Sequence, residues 1–230
     1  MQHRPLRIAL ASLVAALATS VSALAVTGST PDGEAHPYVG ALVVDGAVAC
    51  SGVLVAPAVF ATAAHCSADG ARVAVSFESA LDDGWKLRSG TFAVDPGRGS
   101  DLAVVLLDGP AHVAPASLPD AGAVETLVKG DLVTSVGYGY SGRTGDGAFV
   151  YDGLRRAAAS PVLKVAKSLL TVSTNDGGPC LGDSGGPQLE GDTVLSLTSS
   201  GSNDCTGKAY GTRLDTASAR TFLAGFVPLP

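Results

Sequence analysis

Residues 182–187 read Gly182-Asp183-Ser184-Gly185-Gly186-Pro187, and the rest of the chain is interpreted outward from this string. A serine hydroxyl is a weak nucleophile unless a base takes its proton and an oxyanion hole receives the developing charge. Glycines on either side of Ser184 let the backbone bend so that its amide N–H groups converge on one point. A Gly/Ser-rich turn with no chemistry is the plain alternative, but six residues in this order form a long and specific string.

The string also satisfies Gly-x-Ser-x-Gly, the nucleophile elbow of α/β-hydrolases. That motif needs a helix after the serine, with the acid and the histidine C-terminal to it. Here Pro187 follows, then a β-like run over Thr193 to Ser199, and no histidine occurs after His112. The elbow reading fails on both counts, so a base for Ser184 must come from upstream.

The 230 residues suit one large domain or two small ones and provide a sizeable core. Hydrophobic residues make up 46% and charged residues 16%, and 29 Gly with 13 Pro favour short strands and turns over long helices. The formal charge of −6 argues against a nucleic-acid partner, because no basic surplus exists to neutralise phosphates. His3, Arg4 and Arg7 precede an apolar stretch over Ile8 to Ala25 that closes on Ala23-Leu24-Ala25, a small-x-small cleavage pattern. Residues 1–25 therefore read as a signal peptide, with a membrane anchor as the competing reading. Its removal leaves a secreted chain with no membrane association that begins at Val26. Cys50, Cys66, Cys180 and Cys205 all lie beyond that segment, and an even number in an exported chain favours two disulfides. A zinc site is the weaker alternative, since no Cys-x-x-Cys or His-x-x-x-His pairing exists. Spacing alone does not choose among the three possible cysteine pairings. The acidic run Glu78, Asp82, Asp83 reads as a solvated loop rather than a metal site, and no Asn-x-Ser/Thr sequon occurs.

Val39 to Val55 reads as two strands about Asp45-Gly46, a strong hairpin signal. Further β-like runs are RVAVSF, LAVVLL, DLVTSVGY and TVLSLTSS. Strands this frequent, without helical repeats between them, indicate an all-β barrel or sandwich. Asp215 or Thr216 caps a short helix with Phe222, Leu223 and Phe226 on one face. Ala114 to Gly122, with two Pro and no strand pattern, reads as a linker between two halves.

Two further motifs lie upstream of the serine. Thr62-Ala63-Ala64-His65-Cys66 ends an apolar run, and Ser100-Asp101-Leu102-Ala103 opens another. Alone, His65 would read as a packed residue and Asp101 as a strand-entry residue; His36 and His112 keep that bland reading in their Pro-flanked turns. As a set, in the order His, Asp, Ser, the three motifs resemble the chymotrypsin/trypsin family of serine proteases, in a pared-down, bacterial-type form. The resemblance covers essentially the whole chain beyond the N-terminal segment.

That resemblance implies two packed six-stranded antiparallel β-barrels and a short C-terminal helix, with the site in the cleft between the barrels. The first barrel would occupy 26–120 and carry His65 and Asp101; the second would occupy 121–230 and carry Ser184. By the same resemblance His65 is the base, Asp101 orients it, and Ser199 supports Asp101. The N–H groups of Gly182 and Ser184 form the oxyanion hole, and Cys50 pairs with Cys66 and Cys180 with Cys205. The family's activating ion pair maps onto the Val26 ammonium and Asp183. Trypsin-like specificity for Arg or Lys needs an aspartate six residues before the serine, where this chain has Gly178, followed by Pro179. Ser200 stands where the family usually has Trp, and Gly201 leaves the pocket open, so a medium or large apolar side chain is expected before the scissile bond. The expected substrates are proteins or peptides, no cofactor or metal is expected, and the enzyme is expected to act as a monomer. The altered pocket keeps a non-catalytic homologue, a binding module without turnover, as an alternative, and an esterase with the same triad as another.

Overall fold

The computed structural model describes residues 28–82 and 84–230. The expected signal peptide over 1–25, Val26 and Asp83 lie outside them.

A two-residue strand, β1 (Thr30–Pro31), precedes the first hairpin. Asp45 and Gly46 both have positive φ, 51° and 81°, as a tight turn that matches strand twist requires. They join β2 (Val39–Val44) to β3 (Ala47–Ala56). The strands β4 (Val59–Thr62), β5 (Arg72–Ser76), β6 (Arg88–Val94) and β7 (Ala103–Leu107) follow. These six close into an antiparallel barrel in the order β2-β3-β4-β7-β6-β5. Their Val-, Leu- and Ala-rich segments turn Val39, Leu42, Val53, Phe60, Val75 and Phe92 fully inward, and a closed barrel leaves no edge to pair with another chain.

The second half holds β8 (Leu132–Gly137) and a small hairpin of β9 (Gly142–Arg143) and β10 (Phe149–Val150). Then come β11 (Arg156–Val165), β12 (Leu169–Ser173), β13 (Pro187–Glu190), β14 (Thr193–Gly201) and β15 (Lys208–Arg213). The order β11-β12-β15-β14-β13-β8 closes through pairing of β8 with β11, giving a second six-stranded antiparallel barrel, and β1 adds to the outside of β11. Val124, Val133, Val162, Leu170, Val172, Leu195 and Ala209 form a core cluster of their own here. A larger cluster runs from the first barrel through Val136, Tyr138, Leu189 and Leu197 to the C-terminal helix.

That helix, α1 (Ala217–Leu223), is capped by Thr216, whose hydroxyl accepts from the Ala219 N–H at 3.3 Å. Leu223 is buried, and Phe222 meets Phe226 edge-on at 5.1 Å. The crossing segment is anchored at both ends: Ala116 N–H donates to Leu54 O in the first barrel and Ser117 N–H to Asp192 O in the second. Among the described residues no helix is long and apolar enough to cross a membrane.

Two features of this frame position the chemistry. β4 pairs with β7 so that Thr62 lies opposite Ala103, which brings the residues just after Thr62 and just before Ala103 to the same rim. The loop entering β13 carries Gly182 to Gly186 to that rim from the other barrel.

Candidate active site

His65 sits in a single 3-10 turn, Ala64–Cys66, directly after β4. Cys66 is bonded to Cys50 on β3, with Cα atoms 6.1 Å apart, so the turn is tied to the barrel wall behind it. Asp101 ends the loop between β6 and β7. Its carboxylate accepts from the His65 main-chain N–H at 3.0 Å and stands 2.9 and 3.1 Å from His65 Nδ1. Ser199 Oγ, on β14 of the other barrel, donates to Asp101 Oδ2 at 2.6 Å.

An ionised carboxylate only accepts, so Nδ1 carries the proton and Nε2 keeps its lone pair. The electrostatics agree with that assignment. The hydrogen bond to Asp101 raises the His65 pKa above 6.5, against the opposing effect of burial. Burial would raise Asp101, but the bonds from His65 and Ser199 outweigh it and hold the carboxyl below 3.8.

Ser184 arrives on a loop fixed at several points. Ser184 O accepts from Ser51 N–H at 2.8 Å, and Gly185 N–H donates to Thr198 O at 2.7 Å. Gly185 has φ 77°, and a Cβ there would lie 2.8 Å from Ala63 N as well as striking Thr62 Oγ1. Only glycine lets the serine loop rest on the end of β4 and on Ala63, two residues before His65. The serine loop, the histidine turn and the aspartate are thus linked through Thr62 and Ala63 on one side and Thr198 and Ser199 on the other. No hydrogen bond joins Ser184 Oγ to the imidazole among the described residues, a contact that in unliganded sites often forms only with substrate present.

Gly182 has φ 91°, and a Cβ would lie 2.9 Å from Gly139 Cα. The N–H groups of Gly182 and Ser184 donate to no protein group among the described residues, which leaves both for an incoming oxygen. Between them Asp183 points inward, 2% exposed. Its oxygens accept from Gly139 N–H at 2.8 Å and Cys180 N–H at 2.9 Å. Side chains at Gly137 or Gly139 would strike that carboxylate. No cationic side chain pairs with it among the described residues, and burial pushes its pKa up to about 7.

Beside Ser184 opens a cavity of about 210 Å³. Of the four residues singled out for specificity, Pro179, Ser200 and Gly201 line it. Gly178 turns instead into the barrel, where a Cβ would lie 2.9 Å from Ser173 O and 3.1 Å from Ser160 Oγ. Leu181, Thr198, Ser202, Asn203 and Ala209 complete the wall, and among the described residues no charged side chain lines it. The sequence reading did not single these five out; within TVLSLTSS, for one, Thr198 looks like any barrel residue. Cys180 also lines the cavity and is bonded to Cys205, with Cα atoms 4.9 Å apart. Across Gly182 lies a second hollow of about 330 Å³, flanked by Val48, Tyr140 and Tyr151.

Among the described residues the only grouping of metal-type ligands is Cys50, His65 and Cys66, whose two sulfurs are bonded to each other. The family model described as Trypsin matches residues 25–222. No curated protein matches the chain.

Proposed function

Because the chain belongs to the trypsin family of serine proteases, we propose that it is a secreted, monomeric endopeptidase in which Ser184 is the nucleophile, His65 the general base and Asp101 the residue that orients the base. The observation that carries this reading is the chain of hydrogen bonds from Ser199 to Asp101 to His65 Nδ1, which leaves Nε2 as the proton acceptor.

Ser184 Oγ attacks the scissile carbonyl carbon while His65 Nε2 takes the hydroxyl proton. The carbonyl oxygen becomes an oxyanion and accepts from the N–H groups of Gly182 and Ser184, which have no competing partner among the described residues. Asp101 stabilises the imidazolium while remaining ionised. The imidazolium then gives its proton to the leaving amine as the C–N bond breaks, and an acyl-enzyme remains. Water enters, loses a proton to His65 and attacks the acyl carbon; the bond to Ser184 Oγ breaks, the acid leaves, and His65 returns the proton to Oγ. The residue before the scissile bond places its side chain in the cavity beside Ser184, whose uncharged wall does not select Arg or Lys.

Signal cleavage before Val26 also supplies the activating terminus. The Val26 ammonium pairs with Asp183, a buried carboxylate with no cationic side chain beside it among the described residues. The described chain begins at Gly28, whose missing Cβ lets it press against Asp176 and Gly177 on the loop leading to Asp183.

Labelling of the secreted protein with a fluorophosphonate tests the reading, with Ser184→Ala as control and N-terminal sequencing of the labelled band. Labelling of wild type but not of the variant, on a chain starting at Val26, is the expected result. A trimmed, disulfide-bonded chain that does not label overturns it.

A further inference from the structure

The hollow of about 330 Å³ across Gly182 is built from segments bonded to the serine loop. Tyr140 N–H donates to Leu181 O at 2.8 Å, and Gly139 N–H to Asp183 Oδ1 at 2.8 Å. From β3, Ser51 Oγ donates to Gly182 O at 3.1 Å and accepts from Tyr138 N–H at 2.9 Å. The contacts that hold Gly182 in place thus also set the shape of the hollow. Its lining is aromatic and apolar. Tyr151 and Leu181, both large and both exposed, at 46% and 41%, line it together with Val48, Ala49 and Tyr140. The Tyr151 ring meets the Tyr140 ring edge-on at 6.0 Å. Tyr140 packs in turn against Phe149 at 5.2 Å, and the Arg143 guanidinium sits over the Phe149 ring. No charged side chain lines the hollow among the described residues.

The cavity beside Ser184 and this hollow share Leu181 and Gly182, so both open on the serine-loop side of a bound chain. The scissile carbonyl is held at Gly182, between them. A substrate whose residue before the scissile bond fills the cavity therefore carries its leaving part across Gly182 to the hollow. An extended chain turns residues i and i+2 to the same face. The residue that reaches the hollow is accordingly the second after the scissile bond, while the first turns away. An apolar side chain there takes the exposed faces of Tyr151 and Leu181 out of water. A ring adds edge-to-face contact with tyrosines already held by their neighbours, so little freedom is lost. A charged side chain would give up hydration and meet no opposite charge. On the serine-protease reading above, we propose that Tyr140 and Tyr151 select substrates with a bulky apolar side chain, aromatic in preference to aliphatic, at the second residue after the scissile bond.

Acyl transfer tests this separately from the cavity beside Ser184. The protein receives the amino-acid ester that it hydrolyses fastest from a panel, together with a dipeptide amide as acceptor. The acceptor amine attacks the acyl carbon in place of water and passes a proton to His65. The bond to Ser184 Oγ breaks, Oγ takes that proton back, and a new peptide bond has formed. The acceptor's second residue then lies over the hollow. Peptide and acid arise from one acyl-enzyme, so their ratio reads the acceptor alone and a general loss of rate cancels. Gly-Phe amide should be favoured over Gly-Gly amide by about fivefold or more, a partly buried ring setting the scale. Gly-Leu amide should fall between them, and Gly-Glu amide should not exceed Gly-Gly amide. Tyr151→Ala should bring the Gly-Phe to Gly-Gly ratio close to one and leave ester hydrolysis without acceptor unchanged, whereas Tyr151→Phe should keep the ratio. Equal use of Gly-Phe and Gly-Gly amides by wild type, a preference for Phe-Gly over Gly-Phe amide, or a ratio unchanged in Tyr151→Ala overturns the proposal while leaving the protease reading intact. If wild type turns over no ester and takes no fluorophosphonate, the protease reading falls and this inference with it.

Discussion

At the scale of single residues, the proposed mechanism turns on which nitrogen of His65 holds a proton. Asp101 receives two donors from His65 and one from Ser199, which an amide in its place cannot reproduce. Asp101→Asn turns an NH₂ toward one of those donors and favours the tautomer with its proton on Nε2, so the base is lost. A fall in kcat of roughly 10⁴ at neutral pH is the expected result. The pH profile adds a sign. His65 must be neutral to accept the Ser184 proton, and its bond to Asp101 raises its pKa above 6.5. Wild-type kcat/KM should climb as pH rises through that raised value. In Asp101→Asn the limb should move to lower pH while the plateau drops. A variant that keeps both the plateau and the limb would refute the assignment. The strings around His65, Asp101 and Ser184 were legible because each is short and unusual in itself. The place of Thr198 in the cavity wall was not, because it depends on shifts of strand register on both sides of β14.

At the scale of elements, the Asp45-Gly46 hairpin and the Thr216-capped helix were readable from local chemistry, since turn and cap residues act on their immediate neighbours. What joins the two barrels was hidden. Arg155, just before β11, is fully buried, and its Nε meets Asp32 at 2.8 Å across 123 residues of sequence. It also donates to Val39 O on β2, at 3.2 Å, and to Phe77 O beyond β5, at 3.0 Å. Asp32 accepts in addition from His36. A charged pair of this separation leaves no periodic trace, and each residue alone reads as surface. Removing one partner leaves the other buried and uncompensated, so Arg155→Met should cost about 3–5 kcal/mol in urea unfolding. Asp32→Asn with Arg155→Met should recover much of that loss. Burial would raise the Asp32 pKa, yet bonds from His36 and Arg155 hold it below 3.8. Its contribution is therefore present above 3.8 and lost as pH falls through the lowered value. The gap between wild type and Asp32→Asn should narrow in acid; a gap independent of pH, or a double variant no better than the single, would show that the pair does not clasp the barrels.

At the scale of the whole molecule, export and activation become one event if the cut before Val26 creates an ammonium that pairs with Asp183. Among the described residues no cation stands beside Asp183, and burial raises its pKa from 3.8 to about 7. Between those values the folded chain holds a proton that the unfolded chain has released, so stability falls as pH rises from about 4 to about 7. The size is on the order of 2–4 kcal/mol for a shift of this extent. A chain with one extra alanine ahead of Val26 should show that decline in thermal unfolding and lose activity by roughly 10² or more, as expected when a buried carboxylate loses its partner. A chain starting at Val26 should show neither, because its ammonium keeps the carboxylate ionised and pulls the folded pKa back down. Asp183→Asn in the extended chain should abolish the pH dependence without restoring activity, since it removes the titrating group but not the need for an ordered serine loop. If extended and trimmed chains unfold alike at pH 4 and pH 7 and cleave at equal rates, Asp183 is satisfied by its two backbone donors alone, and signal removal only releases the protease without switching it on.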